Sequence, residues 1–271
     1  MKEKLIPNTN KIATHFSNVS AHKLIRYFQN PKEYYNTHII YEKKLAIDIA
    51  AEKNIEIGTY VHEILEKMYL PFVGCEISDD DVEGLIYGID EFIYNEDFIR
   101  KHQMFWGEEF KSVLNLLSKK LTKILEIDSN EFKHCGPTKI VSLENVLCTK
   151  ININNSTIQF SSFVDRIQNR NGVIRLIDYK VNNYFTQNEP IFFNLTNPNE
   201  FVLHPSFQYY FLSWLYWEQN KGDINPLEIS ILNAGESVKE SVKLKFEREA
   251  CQDFEKIIRN ILDDVLKSKY L

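Results

Sequence analysis

No apolar run in this chain approaches the ~18 to 20 residues that a membrane span needs. Its start, MKEKLIPNTN, lacks the apolar stretch of a signal peptide. Both absences point to a cytoplasmic protein with no membrane partner. The four cysteines, Cys75, Cys135, Cys148 and Cys251, include no CxxC pair. Neither a zinc ribbon nor an iron–sulfur cage is indicated, and reduced, structural thiols are expected. There is no internal repeat, no low-complexity linker, and no phosphate loop of the form GxxxxGK followed by Ser or Thr. Positive charge is not in excess either. The 32 Lys and Arg face 38 Asp and Glu, for a formal charge of −6. That argues against nucleic acid held on a uniformly basic surface. It leaves open an acidic site that reaches nucleic acid through bound cations.

What is present is an ordinary globular composition, 44% apolar and 26% charged over 271 residues, with ample length for a core. Residues 1–16 are polar and read as a tail, and residues 17–271 as one domain. Ser17 or Ser20 can cap a short helix over Ala21–Gln29, which Pro31 should end. Ile57, Val61, Ile64, Leu65 and Met68 form a helical stripe over Gly58–Leu70. Asp79–Asp81 start a helix expected to reach about Ile99, and another runs from about Glu108 to Ile127. Residues of about 75–130 are thus a helical segment. From Lys139 the pattern turns strand-like over Ile140–Leu147, Thr149–Ile153 and Thr157–Gln168, with a turn at Asn154-Asn155-Ser156. Asn171-Gly172 then signals a tight hairpin, and Val173–Lys180 is the returning strand. A loop over Asn182–His204, an aromatic helix over Ser206–Gln219, strands at Leu227–Asn233 and Ser241–Phe246, and a closing helix over Glu247–Lys269 complete a mixed α/β (α+β) order.

The hairpin carries the chemistry. With a two-residue type I′ loop, Arg170 pairs with Val173 and Asp165 falls opposite Asp178. Lys180 shares the face of Asp178. Two facing carboxylates on an apolar sheet repel each other and resist desolvation. A hard divalent cation, Mg²⁺ or Mn²⁺, would compensate, and the lysine could orient a water or neutralise a developing oxyanion. A structural Asp–Lys pair on an exposed face is the other reading. His62 lies beside the apolar stripe of its helix, with Glu66 one turn on. It is either a ligand or a polar residue at a core edge. Glu144 is either an acidic member of the site or a solvated strand edge. Tyr209, Tyr210, Trp214 and Trp217 share one helix, as core or as a stacking platform for bases. Lys101, Lys119, Lys120 and Lys123 read as a solvated face or as backbone contacts.

Taken in chain order, several segments resemble one family. Ser20-Ala21, Tyr27, Asn30-Pro31 and Tyr34-Tyr35 resemble the opening segment of AddB-type C-terminal nuclease domains. Gly58 to Glu66 resembles the GxxxHxxxE helix of RecB-type nucleases. Phe163-Val164-Asp165-Arg166-Ile167 and Leu176-Ile177-Asp178-Tyr179-Lys180 resemble their two site strands, and Phe207-Gln208-Tyr209-Tyr210 their glutamine helix. The resemblance implies a PD-(D/E)XK fold, a central mixed sheet flanked by helices, with the 75–130 helices as an insertion. It implies a Mg²⁺ (or Mn²⁺) dependent deoxyribonuclease, of exonuclease type, in a helicase–nuclease or DNA repair and recombination system. His62, Asp165 and Asp178 would be metal ligands together with the Tyr179 carbonyl. Lys180 would position the water, and Gln208 would hold Lys180 or the DNA. DNA with single-stranded ends and a helicase-like partner or fused motor would be its partners. The pattern departs at Val181-Asn182, Ser162 and Leu212, none of them a ligand. Asn30 stands where the family carries a cysteine, so no iron–sulfur cluster is expected. A catalytically silent nuclease fold, serving as a DNA-binding or scaffolding module, is the competing expectation.

Overall fold

Caps and turns mark out the elements in a computed structural model that describes residues 9–40, 49–153, 156–181, 197–220, 227–234 and 242–267. The first helix, α1, spans Thr9–His15, where polarity suggested a tail. Ile12 and the following Phe16 lie four residues apart and are both buried, and that one apolar pair anchors the segment. After the two-residue strand β1 (Asn18–Val19), Ser20 caps α2 (Ala21–Gln29) by accepting from the Lys23 amide. Pro31 does not merely stop the chain. It occupies the first turn of α3 (Pro31–Tyr34), where a missing N–H costs nothing, and a π-helical stretch over Tyr35–Ile40 follows.

The next helix, α4, runs over Ile49–Tyr69, so Gly58 lies inside it rather than at its start. Strand β2 (Glu76–Ile77) leads to three helices in place of the single one expected to Ile99. These are α5 (Asp79–Tyr87), opened by a Ser78–Asp81 capping box, α6 (Ile89–Ile93), and α7 (Glu96–Trp106), capped by Asn95. Gly88 and Asn95 divide the run. Helix α8 (Phe110–Cys135) continues two turns past Ile127. Asp128 and Glu131 occupy buried positions there, and polar residues on the core face broke the apolar periodicity.

Strand β3 is one long strand, Thr138–Ile153, and β4 spans Ser156–Arg170. The expected turn at Asn154-Asn155 lies outside the described residues. Strand β5 (Val173–Lys180) returns through Asn171 and Gly172, both with positive φ (52° and 83°), as the primed turn demands. Helix α9 (Pro198–Leu203) forms inside the segment expected to be loop, and residues 182–196 lie outside the described part. Helix α10 (Phe207–Gln219), β6 (Leu227–Asn233), β7 (Val242–Phe246) and α11 (Arg248–Leu266) complete the chain.

The sheet order is β2-β3-β4-β5-β6-β7, with β1 parallel to the outer part of β4. The β5–β6 pair is parallel and the others on this path are antiparallel, so the sheet is mixed. One face packs on α1, α2, α9, α10 and α11, through residues such as Leu24, Trp214 and Phe254. The other packs on α4 and α5–α8, through Val61, Leu65, Leu117 and Leu121. Tyr209, Tyr210 and Trp214 are buried core, which settles their role as packing rather than base stacking. No helix among the described residues is long and apolar enough to cross a membrane.

Candidate metal centre

The hairpin register is the one the turn dictates. Arg170 pairs with Val173, and the rungs continue to Arg166 opposite Ile177. There the ladder stops. The Tyr179 amide instead donates to the Asp165 carboxylate, N···Oδ2 2.6 Å. On the other side, β3 pairs Leu143 with Arg166 and Asn145 with Val164, passing over Glu144 and Asp165. Glu144 has a φ of 43°, uncommon for a residue with a side chain. The sheet therefore opens around Asp165 on both edges, and side chains fill the gap.

Asp165 lies near the bottom of this opening, 9% exposed. Its Oδ1 is 3.2 Å from Nδ1 of His62, which projects from α4. Ligand atoms of His62, Glu144 and Asp165 all lie within 4.8 Å of one another. Asp178 stands outside that trio. Its two oxygens lie 2.9 and 2.7 Å from the Lys180 ammonium. The Tyr179 ring meets His62 edge-on, with centroids 5.8 Å apart. Gln208, second residue of α10, lines the same groove as His62 and Lys180, with no hydrogen bond to Lys180 among the described residues. Lys120, read as solvated or DNA-facing, donates instead to the Val181 carbonyl at 2.6 Å, and Lys101 pairs with Glu63 at 2.9 Å. Glu144, left open by sequence, thus joins the cluster, and its position on β3 directly before the Asp165 strand was the available signal.

The electrostatics describe a site short of positive charge. Burial, then the neighbouring Asp165, push the Glu144 carboxyl up to about 7. Burial also raises Asp178, opposed by Lys180 and reinforced by Asp165. Burial pulls His62 down, but the Asp165 hydrogen bond and the charges of Asp165, Asp178 and Glu144 outweigh it, so its net shift is upward. Lys180 loses to burial and gains more from Asp178, so it too is raised. One imidazole nitrogen and two carboxylates gathered within 4.8 Å suit a divalent cation of the Mg²⁺ or Mn²⁺ kind.

Metal uptake must remove the protons that this crowding retains. Metal affinity is therefore expected to weaken as pH falls through about 7, with Glu144 and His62 protonated in competition. Titration calorimetry in two buffers of different ionisation heat should show proton release on Mn²⁺ binding. An affinity constant between about pH 6 and 8, with no proton release, would contradict it.

A mixed sheet flanked by helices, opening around Asp165 with acidic side chains and a lysine at the opening, fits the PD-(D/E)XK class of fold. The chain belongs to the PD-(D/E)XK nuclease superfamily, whose family model matches residues 18–270. Among solved structures it is similar to a protein from Eubacterium rectale assigned as an exonuclease, at 12% identity and a TM-score of 0.47, covering 99% of this chain and 87% of that one. It is also similar to the SSO0001 protein, at 10% identity and a TM-score of 0.33, covering 95% of this chain and 82% of that one. No curated protein matches it.

Proposed function

We propose that this chain is a divalent-metal-dependent deoxyribonuclease of the RecB/AddB type, hydrolysing phosphodiester bonds from DNA ends. The observation that carries the reading is the convergence of His62, Glu144 and Asp165 beside the Asp178–Lys180 pair. His62, Asp165 and Asp178 would hold the metal with the Tyr179 carbonyl, and Glu144 adds a further carboxylate. A bound Mg²⁺ or Mn²⁺ would supply Lewis acidity and a water of lowered pKa.

The chain's own groups do the rest. The Tyr179 amide holds Asp165 in place. The Asp178 carboxylate beside Lys180 raises its pKa, which favours the ammonium in the metal-free protein. Lys180 then donates hydrogen bonds, orienting the attacking water and meeting charge that develops on the phosphate. Gln208 contributes an amide to the DNA at the groove wall. The net charge of −6 gives little phosphate capture, which favours delivery of the strand by a helicase-like partner in a cytoplasmic repair or recombination system.

Incubation with linear and circular DNA, single- and double-stranded, in Mg²⁺, Mn²⁺ or EDTA tests this. Degradation that needs both metal and a free end, and that Asp165→Asn abolishes, is the expected result. Metal binding without cleavage of any substrate would sink it in favour of a silent nuclease fold.

A further inference from the structure

Large apolar side chains left in solvent are not spread evenly over this protein. Among the described residues twelve are exposed, and six of them fall within residues 70–105. Scattered exposed apolar residues are ordinary, but a concentration of them marks a surface that something covers. Negative charge gathers in the same segment. Residues 76–109 carry 11 Asp and Glu against two basic residues, Arg100 and Lys101. The rest of the chain has 27 acidic residues and 30 basic, so this segment holds more than the whole formal charge of −6. Seven of those acids stand in the first turns of α5, α6 and α7, where they suit the helix dipoles. The dipoles give no reason for the apolar side chains exposed among them.

The two properties meet in a hollow of about 410 Å³ between the end of α4 and the α6–α7 junction, lined by Lys67, Glu91, Phe92, Asn95 and Asp97. Phe92 supplies a half-buried apolar wall. Leu70 follows Lys67 by three residues and is 60% exposed, and Tyr94 adjoins Asn95 and is 51% exposed. Lys67 is already paired with Glu63, and Asp97 with Arg100. Glu91 has no ion pair among the described residues, so the open charge at the rim is negative. Lys67 lies five residues beyond His62, about 7.5 Å along α4 and about 140° around it. The hollow is therefore on a different side of α4 from the metal cluster.

We propose that this hollow docks a basic amphipathic helix of a partner protein. An apolar side chain of that helix rests on Phe92, Leu70 and Tyr94, and its Lys or Arg side chains face Glu91 and the acids around it. An apolar hollow receives a helix by its apolar face, and the acidic rim selects the sign of the other face. The same charge repels phosphate, which excludes DNA as the occupant. A second copy joined through this surface would set one acidic segment against another. The proposal stands apart from the nuclease reading and holds whether or not the chain cleaves DNA.

The probe is a fluorescein-labelled peptide of about 18 residues, Leu and Lys in helical amphipathic order, titrated by anisotropy. It should bind, with affinity that falls as salt rises. Versions with Glu for Lys, or with Ser for Leu at unchanged charge, should bind more weakly. The double variant Leu70→Ser with Tyr94→Ser should lose about 10-fold or more in affinity, and Glu91→Lys should lose less. Both variants change exposed side chains and should melt close to wild type. Hydrogen exchange should show the peptide protecting residues 67–73 and 87–97. No binding, equal binding of the Ser version, protection elsewhere, or unchanged affinity in the double variant would overturn the proposal. So would a dimer in sedimentation that the double variant dissolves, which would give the surface to a second copy. Loss of oligonucleotide binding in the double variant would give it to nucleic acid and overturn the proposal equally.

Discussion

Lys180→Met is expected to slow metal-dependent DNA cleavage by about 10²- to 10³-fold while enlarging the thermal stabilisation that Mn²⁺ confers. The two effects have one origin. Lys180 is the cation that compensates Asp178, with its ammonium 2.9 and 2.7 Å from the carboxylate oxygens. Removing it takes away the donor aimed at the reaction, so turnover falls. It also leaves Asp178 without its cation, and that carboxyl is already raised by burial and by the charge of Asp165. The metal-free protein is then less stable, and a divalent cation has more repulsion to relieve. Single-turnover cleavage and thermal melting with and without Mn²⁺ measure both halves. Cleavage within about threefold of wild type would remove Lys180 from the mechanism. A smaller metal-induced Tm shift would refute the electrostatic account of the pair.

The second large effect is on stability. Asp128→Ala should destabilise the protein by about 3–5 kcal/mol. Asp128 and Arg166 are both fully buried, joined at 2.8 Å between α8 and β4. Tyr69 donates to the other Asp128 oxygen at 2.6 Å, and the Arg166 guanidinium stacks 4.3 Å from the Tyr69 ring. Two further Arg166 nitrogens have no hydrogen-bond partner among the described residues, so Asp128 is the counter-charge on which this guanidinium depends. Taking away the carboxylate strands a buried cation. Replacing both partners, as Asp128→Leu with Arg166→Met, removes the stranded charge and should cost much less than the single change. Urea denaturation of the two variants decides it. A double variant as unstable as Asp128→Ala would show that packing, not charge, dominates there. Arg166 directly follows Asp165 and its guanidinium lies 5.6 Å from the Tyr179 ring, so this pair also supports the candidate metal centre.

Several features were legible before any coordinates because their causes are local. The Asn171-Gly172 turn needs positive φ at both residues, and that alone dictates which residues of β4 and β5 face each other. Ser20 opens its helix by accepting from the amide of Lys23, three residues on. Misreadings arose where a local cue had a non-local answer. The apolar pattern ends a helix at Ile127, yet the charges of Asp128 and Glu131 beyond it are met by Arg166 and Arg175, so α8 continues. The polar composition of residues 1–16 reads as a tail, yet Ile12 and Phe16 join the core, with Phe16 against Tyr27 and Tyr34.

The fold family, the hairpin register and the candidacy of His62, Asp165, Asp178, Lys180 and Gln208 can be read along the chain. Motifs and turns act over a few residues, and their spacing is written along the chain. Folding of distant segments alone brings Glu144 to Asp165 and His62, leaves Asp178 with Lys180 outside that trio, and sets Gly58 and Gln208 along one groove with His62. Each depends on how β3, α2 and α4 are brought against the β4–β5 hairpin. That is settled by burial over long sequence separations, where no short-range preference reaches.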